Sequence, residues 1–228
     1  MAKIIEIESV YKTYGTRTKT DVLKNVTLSF ERNSFSWLVG ASGSGKTTLL
    51  NLISGLDSVS KGEIRINDKA ITKMKEKEKA KFRAHHLGFV FQFHYLMPEF
   101  TALENVLIPL EIQGTKITKK IKADAIALME KIGLGHVYTH YPKEMSGGEQ
   151  QRTAIARAIF AKPDVIIADE PTGNLDSVAA ASVYEIIRDL HQTYGITFIV
   201  VTHDQITPQK NERVIRLHDG EIIEDKVY

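Results

Sequence analysis

Gly40-Ala41-Ser42-Gly43-Ser44-Gly45-Lys46-Thr47-Thr48 stands between the apolar run Phe35-Ser-Trp-Leu-Val39 and the apolar segment Leu49-Leu-Asn-Leu-Ile53. A strand, then glycines, then Lys and Thr opening a helix is the spacing G-x-x-x-x-G-K-[ST], and each part has a physical reason. Gly40, Gly43 and Gly45 are expected to take positive φ and turn backbone N–H groups inward, while the following helix adds the positive end of its dipole. A polyphosphate fits such a concavity. Lys46 would reach the β- and γ-phosphates as a point charge, and the Thr47 hydroxyl would ligate a Mg²⁺ that bridges them. A glycine-rich turn before a buried helix would need neither Lys-Thr at this offset nor a strand before it.

Around this stretch the chain is of ordinary globular composition. Its 228 residues fit one domain, with room for a subdomain and a well-buried core. Lys and Arg total 30 against 28 Asp and Glu, a net charge of +2, so no global basic footprint argues for nucleic acid. Cysteine is absent, which excludes disulfides and thiolate metal sites and suits a reducing cytosol. The N-terminus carries no signal-peptide pattern, and the apolar runs are too short to cross a bilayer. The expectation is a chain that neither spans a membrane nor is exported, and that works at a membrane only through a partner.

Ahead of the glycine loop the pattern is strand-like. Ile5, Ile7 and Ser9 alternate with Glu6 and Glu8, and Val26, Leu28 and Phe30 alternate with Thr27 and Ser29. The polar segment Thr13 to Asp21 reads as a loop, and it holds Tyr14. That ring could stack on an adenine face, or it or Tyr11 could fill the edge of a core. After the loop and its helix, Gly62-Glu-Ile-Arg-Ile66 alternates as a strand with a turn at Asn67-Asp68. Thr72 to Arg83 reads as a solvated amphipathic helix. Leu87-Gly-Phe-Val-Phe91 is a buried strand ending at Gln92, where ligands bind in α/β sheets.

From Phe93 to Ala161 the pattern turns helical. Thr101-Ala-Leu-Glu104 is a capping box before an apolar helix to about Ile112, and Lys119 to Ile132 repeats apolar residues at helical spacing. Met145-Ser-Gly-Gly-Glu-Gln-Gln-Arg152 closes the segment, with Ser146 and Glu149 at capping-box spacing. A plain helix start would explain that spacing. Gly147 and Gly148, however, cost roughly 1 kcal/mol each relative to Ala in a helix, so a second phosphate contact at this N-terminus is the simplest use for bare backbone. Val165-Ile-Ile-Ala168 is a buried strand of parallel type running into Asp169-Glu170. Asp169 would orient Mg²⁺ through a water, and Glu170 would polarise the attacking water. Ser177 begins a helix, Thr197 to Thr202 is another buried strand ending at His203-Asp204, and the tail is a hairpin about Asp219-Gly220.

Gly40 to Thr48, Gln92, Ser146 to Glu149, Val165 to Glu170, Leu175-Asp176 and His203 occur in the order and spacing of the ATP-binding cassette of ABC transporters, and the chain resembles that family over essentially its whole length. The resemblance implies an α/β fold: a P-loop NTPase core with a mostly parallel sheet, an antiparallel β subdomain and an inserted α-helical subdomain. Residues 1–92 and 162–228 would form the core and 93–161 the helical part. It also implies a head-to-tail dimer of two copies with ATP sandwiched between them. ATP would touch Tyr14, which stacks on adenine, and Gly40, Ala41, Ser42, Gly43, Ser44, Gly45, Lys46, Thr47 and Thr48 of one copy. Ser146, Gly147, Gly148, Glu149 and Asp176 of the other copy would close the pocket. Mg²⁺ would be held by Thr47, Gln92 and Asp169, and hydrolysis carried by Glu170, His203, Gln92 and Lys46. Integral membrane permease subunits at the cytoplasmic face are the implied partners.

Within the family, Gln92-Phe-His-Tyr-Leu-Met-Pro98 and Pro171-Thr-Gly-Asn-Leu-Asp176 are similar to the lipoprotein-releasing and macrolide-exporting group, and Met74-Lys-Glu-Lys resembles bacitracin-type resistance exporters. Met145 and Glu149 depart from the commonest signature, as does Asn33, which stands where glycine is usual and tolerates the left-handed region. Two other functions compete with transport. One is a signalling or cell-division complex without cargo; the other is a soluble ATPase on nucleic acid or ribosomes, which would usually carry a coiled coil or a second cassette.

Overall fold

The computed structural model describes residues 2–15, 18–203 and 206–228. The chain divides into two compact units, Met1–Arg83 with Thr197–Tyr228, and Ala84–Ile196.

In the first unit β1 (Lys3–Tyr14) and β2 (Thr20–Glu31) form an antiparallel ribbon, and β4 (Lys61–Ile66) and the short β5 (Lys69–Ala70) extend it to the order β2-β1-β4-β5. The two-residue turn between β4 and β5 puts Asn67 and Asp68 at φ of 51° and 61°, the left-handed pair that matches strand twist. The second sheet portion of this unit is built on β3 (Phe35–Val39), which lies parallel to both β8 (Thr197–Thr202) and β9 (Glu212–His218); β10 (Glu221–Val227) pairs antiparallel with β9. Every residue of β3 and β8 is buried. That is why both read as largely apolar stretches rather than alternations. Asn33, entering β3, takes the left-handed region at φ 57° as its side chain allows.

Two expectations change here. The loop expected over Thr13 to Asp21 is trimmed at both ends, since Thr13 pairs with Asp21 and Tyr14 with Thr20, so Tyr14 sits at a strand end. The alternation through Ser9 also breaks. Ser9 is exposed at φ 46°, and the register slips between Ile7 and Val10. This bulge inserts one extra residue and moves the inward face from odd to even positions, Val10 and Lys12. Gly62 makes room for it: at φ 91°, any β-carbon there would collide with the Ser9 and Glu8 carbonyl oxygens.

α1 (Lys46–Ile53) follows the glycine loop, and α2 (Glu76–His86) carries the chain into the second unit. The helix expected from Thr72 starts only at Glu76, because Ile71–Lys73 is a 3-10 turn and the Glu78 carboxylate accepts the Lys75 N–H at 2.7 Å. In the second unit β6 (Leu87–Phe91) and β7 (Val165–Asp169) pair in parallel. Between them α3 (Ala102–Ile112), α4 (Lys119–Lys131) and α5 (Gly147–Phe160) pack on one another, and α6 (Ser177–Tyr194) follows β7. Both capping boxes form: Thr101 with Glu104 at α3, and Ser146 with Glu149 at α5.

Candidate functional site

The loop between β3 and α1 has the shape its sequence predicts, by partly different means. Gly43 and Gly45 sit at φ 80° and 105°, and Gly45 is the N-cap of α1. Gly40 does not take positive φ. It is needed for closeness, because a β-carbon there would strike the Leu217 carbonyl oxygen and lie 2.7 Å from Ser44 Oγ. Gly43 faces open space. The first turn of α1 carries no acidic side chain, so the positive end of its dipole has no carboxylate of its own.

Lys46 is only 6% exposed, and its ammonium donates to the Gly40 and Ala41 carbonyls at 2.8 and 2.9 Å. The cation is therefore held over the loop, while Ala41, Ser42, Gly43 and Thr47 lie exposed and Thr48 half-buried. Ser44 Oγ is buried without a hydrogen-bond partner. A buried hydroxyl left unpaired is costly.

Tyr14 stands at the end of β1, 42% exposed. Its hydroxyl donates to Asp57 Oδ2 at 2.6 Å, and Lys12 Nζ donates to Asp57 Oδ1 at 2.6 Å and to the Ser58 carbonyl at 2.7 Å. The same ammonium lies 4.6 Å from the Tyr14 ring centroid. Burial raises the Tyr14 phenol above its ordinary value, helped by the Asp57 carboxylate. Burial also works to raise Asp57, but the hydrogen bonds from Lys12, Tyr14 and the Ser58 N–H outweigh it and hold the carboxyl below the usual range. His203 follows β8 and is exposed; Asp204 lies outside the described residues.

The second unit carries the other predicted residues. Gln92 leaves β6 and is tied to the loop after Glu170: its Nε2 donates to Asn174 Oδ1 at 3.2 Å, and Asn174 Nδ2 donates to the Gln92 carbonyl at 3.0 Å. A β-carbon on Gly173 would lie 2.8 Å from Gln92 Nε2. Asp169 ends β7, and Glu170 follows in the left-handed region at φ 47°. Such a backbone costs of order 1–3 kcal/mol in a residue without glycine's freedom and clusters at functional positions. Asp176 is occupied within its own chain as the N-cap of α6, accepting the Val178 and Ala179 N–H groups at 3.0 and 2.9 Å.

At the start of α5 the Ser146 hydroxyl donates to Glu149 Oε2 at 2.8 Å and accepts the Glu149 N–H at 3.4 Å. The Ser146 hydroxyl, together with the Ser146 N–H that donates to Oε2 at 2.8 Å, holds the Glu149 carboxyl below its usual range, and His136, 2.9 Å from Oε1, adds to this. Ser146 and Gly147 are exposed. A β-carbon on Gly147 would meet nothing nearer than Leu175 at 3.8 Å, and one on Gly148 nothing nearer than Arg152 at 3.5 Å. Nothing in the chain itself requires glycine at either position.

A profile of the family described as ABC transporter matches residues 23–173. This chain belongs to the ABC transporter family. It is similar to the lipoprotein-releasing system ATP-binding protein LolD of Cytophaga hutchinsonii, at 43% identity over 223 residues covering 98% of this chain and 100% of the relative. The protein of the same name from Francisella tularensis subsp. holarctica (strain OSU18) is 45% identical over 221 residues, 96% of this chain and 95% of the relative. Among solved structures, a dimeric ATP-binding cassette in a post-hydrolysis state bound to ADP and Pi superposes with a TM-score of 0.86 at 36% identity, covering 98% of both chains. A dimeric bacterial ABC transporter cassette gives 0.88 at the same identity and coverage. The fold is that of an ABC-type ATPase, with the α/β P-loop core expected from the sequence.

Against this family frame, sequence reasoning missed Lys12, Asp57, Asn174 and His136. Only Lys12 left a usable trace, a charge two residues before Tyr14 and so on the same face of the strand. The other three meet their partners from 43, 82 and 13 residues away.

Proposed function

We propose that this ABC ATPase is the ATP-hydrolysing subunit of a complex that releases lipoproteins, acting as a head-to-tail pair at the cytoplasmic face of a membrane through permease subunits. The observation that carries the pairing is the start of α5. An exposed helix N-terminus holds two glycines that its own chain does not need, so the bare backbone serves a group arriving from outside. Each chain offers one glycine-loop cradle and one such helix start. Two copies in opposite directions would bring each cradle a second cap.

In this reading the loop N–H groups and Lys46 hold the β- and γ-phosphates of ATP, with Ser44 Oγ as a further polar group, and Tyr14 stacks on the base. The partner's Ser146, Gly147 and Gly148 close on the γ-phosphate. Glu170 takes and holds the proton of the attacking water, while Gln92 and His203 orient that water and the γ-phosphate. Among the described residues no group of three His, Asp or Glu is placed to hold a metal ion. That suits Mg²⁺, which binds through a few protein oxygens together with substrate phosphates rather than an all-protein cage. Thr47, Gln92 and Asp169 would hold it, and when bound it neutralises charge on the phosphate oxygens. Asp176, beyond capping α6, would link the loop after Glu170 to the partner.

No helix among the described residues is long and apolar enough to cross a membrane. A surface for a permease is offered between β6 and α3, in the part 93–161 that we read as the helical subdomain. Phe93, Tyr95, Met97 and Phe100 are 60%, 64%, 49% and 42% exposed there, more large apolar side chain than a lone surface usually shows over so short a stretch. The experiment is reconstitution with the co-purifying membrane protein in vesicles carrying a lipoprotein. ATP-dependent release to an acceptor supports the reading; ATPase activity without release, whatever the lipoprotein, overturns the cargo, and turnover independent of a second copy overturns the pairing.

A further inference from the structure

Two side chains and a backbone N–H converge on the carboxylate of Asp57. Asp57, four residues beyond the end of α1, accepts the Tyr14 hydroxyl on Oδ2 and the Lys12 ammonium on Oδ1, both at 2.6 Å, and its Oδ1 also takes the Ser58 N–H at 2.6 Å. Lys12 is 8% exposed, with its ammonium further held by the Ser58 carbonyl. The cation lies 4.6 Å from the Tyr14 ring centroid, within the range of cation–π attraction. A buried ammonium of this kind is retained at a desolvation cost, which calls for a use.

We infer that Lys12 and Asp57 are positioning residues that lock the Tyr14 ring as a pre-set base platform and leave one ring face for the adenine of ATP. The inference rests on the reading of Tyr14 given above. Tyrosine at a strand end is free to swing about χ1 and χ2, and ordering it on binding would weaken binding. The hydroxyl bond to Asp57 removes that freedom before nucleotide arrives, and Lys12 occupies one face, so a base stacks on the other. The Asp57 N–H donates to the Asn51 carbonyl of α1 at 3.1 Å, so the base platform is anchored on the same helix whose N-terminus cradles phosphate.

The test is binding of Mg-ATP and of Mg-tripolyphosphate, which has no base, to the full chain carrying Tyr14→Phe, Tyr14→Ala, Lys12→Met or Asp57→Asn, with thermal melts of each. Tyr14→Phe keeps the ring and loses only the hydroxyl bond. It, Lys12→Met and Asp57→Asn are each expected to weaken ATP by about fivefold, the worth of one hydrogen bond, with tripolyphosphate affinity unchanged; the melts verify that each variant is folded at the assay temperature. Tyr14→Ala weakens ATP further. If Tyr14→Ala weakens ATP but Tyr14→Phe and Lys12→Met bind as wild type, the clamp is overturned and base stacking stands. If Tyr14→Ala itself binds ATP as wild type, base stacking falls and the clamp with it. Should Asp57→Asn fail to fold, Tyr14→Phe still decides.

Discussion

Gln92 and Asn174 hold each other twice, side-chain amide to side-chain oxygen at 3.2 Å and side-chain amide to backbone carbonyl at 3.0 Å. The pair joins the end of β6 to the loop that begins at the strained Glu170. Removing it with Asn174→Ala frees Gln92 without touching the glycine loop. Steady-state kinetics are expected to show kcat lowered by about tenfold to a hundredfold, the usual cost of a misplaced orienting group, with KM little changed. Gly173→Ala, whose β-carbon would press on Gln92 Nε2, should do the same; an unchanged kcat in both variants would remove Gln92 from the site.

Glu170→Gln keeps the shape of the side chain and removes its basicity. Turnover is expected to fall by about 10³-fold, within the range for losing a general base. With the triphosphate intact the paired state should persist, so the variant elutes from size exclusion as a dimer with ATP and Mg²⁺ and as a monomer with ADP. A monomer under both conditions would count against the pairing.

The glycines at the start of α5 predict a conflict between stability and activity. Alanine fits at 147 and 148 and is the better helix former by up to about 1 kcal/mol. Gly147→Ala should therefore raise the melting temperature by about 2–4 °C. A methyl group over the helix N-terminus should at the same time cut turnover by about two orders of magnitude, leaving ATP binding to the isolated chain intact. Full activity in the stabilised variant would sink the proposed phosphate contact.

Acid sensitivity follows from the two capping boxes. Backbone and side-chain hydrogen bonds from Thr101 hold Glu104 below its usual range, and those from Ser146 do the same for Glu149. A carboxyl depressed in the folded state contributes stability that is fully present above its unfolded value and lost as pH falls through its folded value. Melting temperature should thus be flat near neutrality and fall below about pH 4.3, the unfolded glutamate value. Glu104→Gln retains the cap geometry but not the charge, so its acid decline should be shallower; an identical decline would assign the acid loss to other carboxylates.

Much of the site was legible because its signals are local. The cradle between β3 and α1, the caps at Thr101 and Ser146, the Asn67-Asp68 turn and the two carboxylates ending β7 each depend on residues a few positions apart, and near-neighbour backbone geometry follows directly from side-chain type. Gly40 shows the limit of that reasoning. It was expected to serve by its φ, whereas it serves by the nearness of Leu217, a residue 177 positions away whose approach no local rule contains.

The choice between Tyr11 and Tyr14 shows what chain order alone left open. Strict alternation through Ile5, Ile7 and Ser9 would turn Tyr11 inward and leave Lys12 and Tyr14 on the opposite face. The extra residue at Ser9, made possible by Gly62 on the neighbouring strand, reverses that parity and brings Lys12 and Tyr14 to Asp57. Amino-acid order was sufficient for the cradle and the helix starts, because those bonds close within a turn. The bulge, the Asp57 clamp and the Gln92–Asn174 pair exist only once strands are in register and distant loops are packed, since each needs a partner that the neighbouring residues do not supply.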